Sequence, residues 1–276
     1  MSKKTRIIFF VLLTFILTLV NGQDKETLKI MSFNIQIFGA AKMAKPEVVD
    51  ILVDIVSHAD LIAVQEVRSM SIDPVERFMA LLPDNYHYTL SPRQGRTFSK
   101  EQYWIIYNAD KITITNEDSW PDDENIFERS PYAVYCKSSG TFDFILLNNH
   151  IQPGAAEKEI RSLPQVAAYY RELWNDPDLL IVGDMNADGK YFNSALMESI
   201  FPDTEYYLIF TNEDTTLAQS HNTYDRFIIT SSAFEFFTGN FNVIRFDEEY
   251  DFDSFSVTPK QVSDHYPIWA EFFIGE

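Results

Sequence analysis

The sequence predicts an α/β protein of one domain, with two β-sheets packed face to face and helices on the outside. Three observations lead there. Short apolar runs with strand-like alternation recur along nearly the whole chain, while helical periods are few but substantial. No Gly-, Ser- or Pro-rich linker divides the 276 residues, of which 46% are hydrophobic, enough for one large core.

The elements follow in order. "LKIMSFNIQIF" (28–38) alternates apolar and polar residues and reads as a strand. "KPEVVDILVDIVSHAD" carries Pro46 at a helix start and apolar residues at 48, 49, 51, 52, 55 and 56, one face of a helix. "DLIAVQEV" (60–67) reads as a buried strand ending in an acid, and "PVERFMALLP" as a short helix. Four strand-like runs come next: "YHYTLS", "QYWIIYN", "YAVYCK" and "FDFILLNNH". A long helix is expected over about 155–174, with Pro164 as a kink. "DLLIVGDMNAD" is a further strand, "YFNSALMESIF" has a helical period, and "NTYDRFIIT", "NFNVIRF" and "HYPIWAEFF" finish the chain as strands.

The first residues are of another kind. Lys3, Lys4 and Arg6 precede an apolar run over 7–20, and small Gly22 follows. A basic head, a short apolar stretch and a small-residue exit describe a secretory signal peptide over 1–22, removed from a mature chain of 23–276. The run falls short of the ~20 residues of a membrane helix, although an uncleaved anchor is the alternative. No cysteine stands near the exit for lipid attachment; Cys136 is the only one in the chain, which excludes an intrachain disulfide. The net charge is -19, which repels a polyanion at long range and argues against tight, static nucleic-acid binding. It is compatible with an enzyme that uses divalent cations and holds a polyanion briefly.

Polar residues gather where apolar strands stop: Asn34, Glu66, His150, Asp184, Asn186, Asp225, Asp264 and His265. If these ends share one edge of the sheets, they form a pocket of carboxylates, amides and two imidazoles without a thiol. Oxygen ligands suit a hard cation such as Mg²⁺, and imidazoles suit proton transfer near neutral pH. That combination fits hydrolysis of a phosphate ester, which needs a base for water, an acid for the leaving oxygen, and relief of charge on phosphorus.

The ordered blocks "SFNIQIF", "LIAVQEVR", "SKEQYWIIY", "ERSPYAV", "GDMNAD", "YDRFII" and "SDHYP" resemble the endonuclease/exonuclease/phosphatase superfamily, and within it the deoxyribonuclease I-like members, over about residues 28–273. The resemblance implies a four-layered α/β sandwich: two packed mixed β-sheets flanked by helices. It also implies a secreted, monomeric, divalent-metal-dependent endonuclease, extracellular or periplasmic. Such an enzyme cuts DNA with little sequence preference and leaves 5′-phosphate ends. Carried over residue by residue, Glu66 binds Mg²⁺ (or Mn²⁺), with Asn34 and Asp264 close by. His150 pairs with Glu101, and His265 with Asp225. Asp184 and Asn186 position water and phosphate. The division of base and acid between the histidines stays open, with His265 favoured as base. Arg68 is implied to enter the minor groove and Arg129 to hold phosphate.

Departures from the family pattern matter too. Ser99 replaces an aromatic two residues before Glu101, and Gly189 and Asn222 replace both ends of a disulfide. The loop over 120–129 is short and lacks a second disulfide, which speaks against structural Ca²⁺ there. A Ca²⁺ site through Asp214 and Thr216 is the one left. "SPRQGRTFSK" (91–100) reads either as a mobile polar loop or as a DNA-facing one, and "DEEYDFD" (247–253) as a solvated acidic loop. Two rivals remain: a secreted phosphodiesterase acting on a lipid headgroup, and a non-catalytic binding or toxin subunit with the same fold.

Overall fold

The computed structural model describes residues 26–97 and 99–275; the expected signal peptide lies outside them. Twelve strands are present among the described residues. The first sheet contains β1 (Thr27–Phe38), β2 (Leu61–Val67), β3 (Tyr86–Leu90), β4 (Gln102–Asn108), β11 (Phe237–Val243) and β12 (Ile268–Phe273), in the order β11-β12-β1-β2-β4-β3. The second contains β5 (Ile112–Ser119), β6 (Tyr132–Ser138), β7 (Asp143–His150), β8 (Leu179–Asp184), β9 (Tyr206–Leu208) and β10 (Asp225–Thr230), in the order β5-β6-β7-β8-β10-β9. Each sheet is mixed, with one central parallel pair, β1 with β2 and β7 with β8, and antiparallel neighbours outside.

Alternation along the strands decides the layers. Leu28 and Ile30 of β1 and Leu61 and Ala63 of β2 face the second sheet, where they meet Leu146, Leu180 and Val182. Met31, Phe33, Ile62 and Val64 point the other way, onto the helix Pro46–Ser57. That helix buries Val48, Val49, Ile51, Leu52, Ile55 and Val56, the stripe expected from its period, each burial being worth about 1.5–3 kcal/mol. On the far side, Ile160, Leu163, Val166 and Ala167 of the helix Ala156–Trp174 cover Ile145, Leu147 and Ile181. Pro164 lies inside this helix without ending it, and Asn175 closes it in the left-handed conformation. Helix, sheet, sheet and helix make the four layers.

Between the sheets the core is not purely apolar. Gln65 Nε2 donates across the interface to Asn148 Oδ1 at 2.7 Å, and Asn148 Nδ2 donates back to the Val64 carbonyl at 3.1 Å. Both side chains are fully buried. This polar bridge admits one relative position of the sheets, because any slide leaves buried amides unpaired.

Several elements differ from the sequence reading. β5 has no counterpart in the sequence reading; it is an edge strand with Thr113, Thr115, Asn116 and Glu117 exposed, so it carries little apolar signal. β9 is three residues long. "YFNSALMESIF" forms one 3₁₀ turn, Ser194–Leu196, and one α-turn, Met197–Ile200, rather than a full helix. Among the described residues, no helix is long and apolar enough to cross a membrane.

Candidate active site

Sheet pairing alone brings the polar strand ends together. His150 ends β7 and Asp184 ends β8, and the parallel register sets them side by side. Asp225 begins antiparallel β10 directly opposite Asp184. In the first sheet, Asn34 pairs with Gln65 next to Glu66, while Glu101 stands just before β4 and His265 just before β12. Both sheets thus present their chemistry at the same edge.

The two imidazoles converge on one atom. His150 Nε2 lies 3.5 Å and His265 Nε2 3.4 Å from Asp184 Oδ2. Their Nδ1 atoms face away: that of His150 donates to Glu101 Oε1 at 2.6 Å, and that of His265 to Asp225 Oδ2 at 2.8 Å. Each pair spans the two sheets, since Glu101 and His265 belong to the first and His150 and Asp225 to the second. All five groups are buried. Fixing Nδ1 on a carboxylate leaves Nε2 as the nitrogen that exchanges protons.

Burial works against ionising Glu101, but His150, Arg129 and Arg68 outweigh it and hold the carboxyl below its usual range. Asp184 is likewise lowered: burial opposes its charge, and His265 and His150 more than compensate. Burial pulls His265 down, but Asp225 and Asp184 together drive it up to about 10. The two carboxylates thus favour the protonated imidazole, and the division of base and acid between the histidines stays open. Asp225 is raised, with burial as the largest cause, and the two carboxylates that face His265 directly keep its imidazole raised. Depressed Glu101 gives a stability prediction. Its ionised form stabilises the fold above the unfolded pKa of about 4.3 and is lost as pH falls through the lower folded value. The gap in melting temperature between the native protein and Glu101→Gln should therefore narrow below about pH 4. A gap that stays constant with pH would count against this.

Asn34 Nδ2 donates to Asp184 Oδ2 at 3.0 Å and to Glu66 Oε1 at 3.3 Å, gathering two carboxylates, while its Oδ1 accepts from the Gln36 amide. Glu66 Oε2 accepts from the Ile37 amide at 3.0 Å. Asp264 does not join this group through a direct hydrogen bond. Its charge, with that of Glu66, is felt by buried Lys42, whose ammonium donates to the Ile35 and Val262 carbonyls at 2.6 Å each. Burial lowers Lys42 to about 8, against the pull of Asp264 and Glu66. Sequence reasoning missed Lys42, because "GAAKM" looks like an ordinary helix start.

The donor chemistry fits a hard divalent cation: carboxylate oxygens of Glu66 and Asp184 crowd together on a shared amide, and the Lys42 ammonium is spent on carbonyls. Asp184, Asp225 and His265 also bring one ligand atom each within 4.8 Å of one another. Of these, His265 Nδ1 and Asp225 Oδ2 are engaged with each other.

Backbone strain marks the same place. Among the described non-glycine residues, positive φ occurs at Gln36, Ile37, Glu66 and Asn186, all at the site, and otherwise only at Asn125 and Asn175. Asn34 pairs with Gln65 and Phe38 with Val67, so β1 bulges over 35–37. For β-branched Ile37 such a conformation costs of order 1–3 kcal/mol, and strain of this kind clusters at functional sites. Asn186 donates from its backbone to Asp184 Oδ1 at 3.0 Å and from Nδ2 to the Ile151 carbonyl at 2.9 Å, tying β8 to the turn after His150.

Arg129 is buried; Nε donates to the His150 carbonyl at 3.0 Å, and buried Nη2 makes no hydrogen bond among the described residues. Glu159, also missed, accepts from the Glu128 and Gln152 amides and braces the chain around Arg129 and His150. In the basic loop the guanidiniums are spent internally. Arg93 donates to the Ser69 and Lys100 carbonyls, and Arg96 to Asp122 Oδ2 and the Asn125 carbonyl. Asp214 Oδ1 accepts from the Thr216 and Asn222 amides, and Thr216 pairs through its backbone with His265.

The sequence pattern of the Endonuclease/Exonuclease/phosphatase family matches residues 31–265. Deoxyribonuclease-1 of Rattus norvegicus is 31% identical over 272 residues, which cover 93% of this chain and 96% of that protein. Deoxyribonuclease gamma of Mus musculus is 31% identical over 278 residues, covering 93% and 87%. Among solved structures, an endonuclease/exonuclease/phosphatase family protein from Bacteroides thetaiotaomicron is similar with TM-score 0.63 at 16% identity, covering 90% of this chain and 95% of that one. A mannosyl-6-phosphatase of the same organism reaches 0.61 at 15%, covering 89% and 99%. At such identities these two structures speak for the fold alone.

Proposed function

Because the chain belongs to the endonuclease/exonuclease/phosphatase family, we propose that it is a secreted, monomeric, divalent-metal-dependent endonuclease. It hydrolyses DNA phosphodiester bonds with low sequence specificity and leaves 5′-phosphate ends. One observation carries this reading: two histidines aim Nε2 at a single point while each is backed by a buried carboxylate. The relatives named deoxyribonuclease give the substrate class.

A phosphodiester lying between the two Nε2 atoms has one imidazole on either side, the arrangement an in-line displacement needs. One Nε2 takes the proton of the attacking water, and the other returns a proton to the departing 3′-oxygen. Glu101 and Asp225 hold the tautomers and offset the imidazolium charge. Asp184 orients the water, and Arg129 holds phosphate. Glu66, Asn34 and Asp264 hold the cation, Mg²⁺ or Mn²⁺, which when bound stabilises charge on the phosphoryl oxygens. Ca²⁺ at Asp214 and Thr216 is structural in this reading.

Supercoiled plasmid should be nicked with Mg²⁺ and left intact when excess EDTA is added. Headgroup release from sphingomyelin vesicles without nicking would favour the lipid enzyme, and silence on both would favour the binding subunit. The exposed aromatics Tyr207 and Phe234 stack at 3.8 Å, but they sit at the end of β10 away from Asp225. They cannot serve as a lipid-facing rim for this site.

A further inference from the structure

Arg68 is turned inward. Nη2 lies 3.2 Å from Glu66 Oε2 and 3.6 Å from Glu101 Oε2, and Nη1 donates to Ser99 Oγ at 2.8 Å. Its backbone amide donates to the Phe38 carbonyl at 2.9 Å, which anchors it to the far side of the β1 bulge. Glu101 shares its other oxygen between His150 and Arg129, so Oε2 has Arg68 as its facing charge. Glu66 is held on Oε1 by Asn34 and on Oε2 by Ile37 and Arg68. One guanidinium thus joins the carboxylate on the cation side to the carboxylate that orients His150.

We propose that Arg68 is a positioning residue, fixing Glu66 and Glu101 relative to each other, so that it serves every phosphodiester and not only substrates long enough to offer a groove. Three features argue for this over a groove contact alone. Both arms are already engaged, Nη1 with Ser99 Oγ and Nη2 with the two carboxylates. A planar guanidinium keeps those two directions fixed relative to each other in a way that a flexible ammonium does not. And without it, Glu66 and buried Glu101 lose a shared counter-charge at close range, which costs their placement relative to each other. Ser99 supports the same geometry, since its short hydroxyl lets the guanidinium lie back against the protein.

The inference rests on the nuclease reading, and the test separates the two. Native protein and Arg68→Met are compared on plasmid DNA and on bis(4-nitrophenyl) phosphate, a diester with no groove. On the small diester, kcat should fall about ten-fold or more with KM changed less than about two-fold, because misplacement by a fraction of an ångström suffices. In a Glu101→Gln background the same substitution should cost less than about three-fold, as expected for residues acting through one another. Arg68→Lys, which keeps the charge and loses the fork, should also be impaired, and it carries the comparison if Arg68→Met does not fold. Loss confined to plasmid, with the small diester spared, overturns the inference and leaves the nuclease reading standing. So do fully additive losses. Native protein inactive on both substrates overturns the nuclease reading itself.

Discussion

Alanine at His150 or at His265 is expected to lower plasmid nicking by roughly 10²–10⁴-fold, the usual contribution of a positioned acid or base. The argument is geometric. Each Nε2 lies within 3.5 Å of Asp184 Oδ2, and each ring is held from behind by a hydrogen bond of 2.8 Å or less, so neither can be replaced by a neighbour. The double variant should be little worse than either single one, because one proton relay is broken in all three. Initial rates at saturating Mg²⁺ would decide. Retention of more than about a tenth of the activity by either single variant would remove that histidine from the chemistry. Melting temperatures belong beside the rates. Removing His265 leaves Asp225 and Asp184 buried and facing each other without a cation between them, a loss expected to cost about 3–5 kcal/mol. Removing His150 still leaves Glu101 facing Arg129 and Arg68, so it should cost less.

Gly183→Ala should be the most destabilising small substitution at the site. Gly183 has φ +137°, and a Cβ there would stand 1.9 Å from the Asn149 carbonyl oxygen on the neighbouring strand. That oxygen is backbone and cannot rotate away. A conformational penalty and an overpacking penalty of about 1–3 kcal/mol each combine to roughly 2–6 kcal/mol. The damage is local as well as global. Gly183 pairs with Asn149, and the next pair along is Asp184 with His150, so forcing the strands apart moves the two reacting groups. Gly239→Ala is the matched control, with φ +90° but open space around it, and it should lose only the conformational part. Urea denaturation of the three proteins checks the order. Equal loss in both variants would show that the close approach of β8 to β7 does not matter.

Much of this was readable in the chain, for identifiable reasons. Strand alternation in β1 and the apolar stripe of 46–57 are decided by burial, and burial leaves a periodic trace. The site left a trace too, since ionisable residues placed directly after buried strands are costly unless they meet something. What could not be read is conformation without a compositional sign. Positive φ is foreseeable at Asn186, but not at Gln36, Ile37 or Glu66, where tertiary contacts impose it. Nor does sequence say which way a long cation points. Arg93 and Arg96 look like ligands for a polyanion and are consumed by carbonyls and Asp122, and Lys42 looks exposed and is buried.

The pairing of each histidine with a carboxylate from the opposite sheet has a consequence for how the protein is made. The second sheet occupies one continuous stretch of chain, while the first is begun before it and closed only by β11 and β12. During translation a growing polypeptide therefore owns neither complete dyad until the layers dock, and lacks one of its imidazoles until residue 265 has been added. Both dyads therefore depend on the long-range docking of the two sheets, and the second also on the chain segment that leads into the last strand.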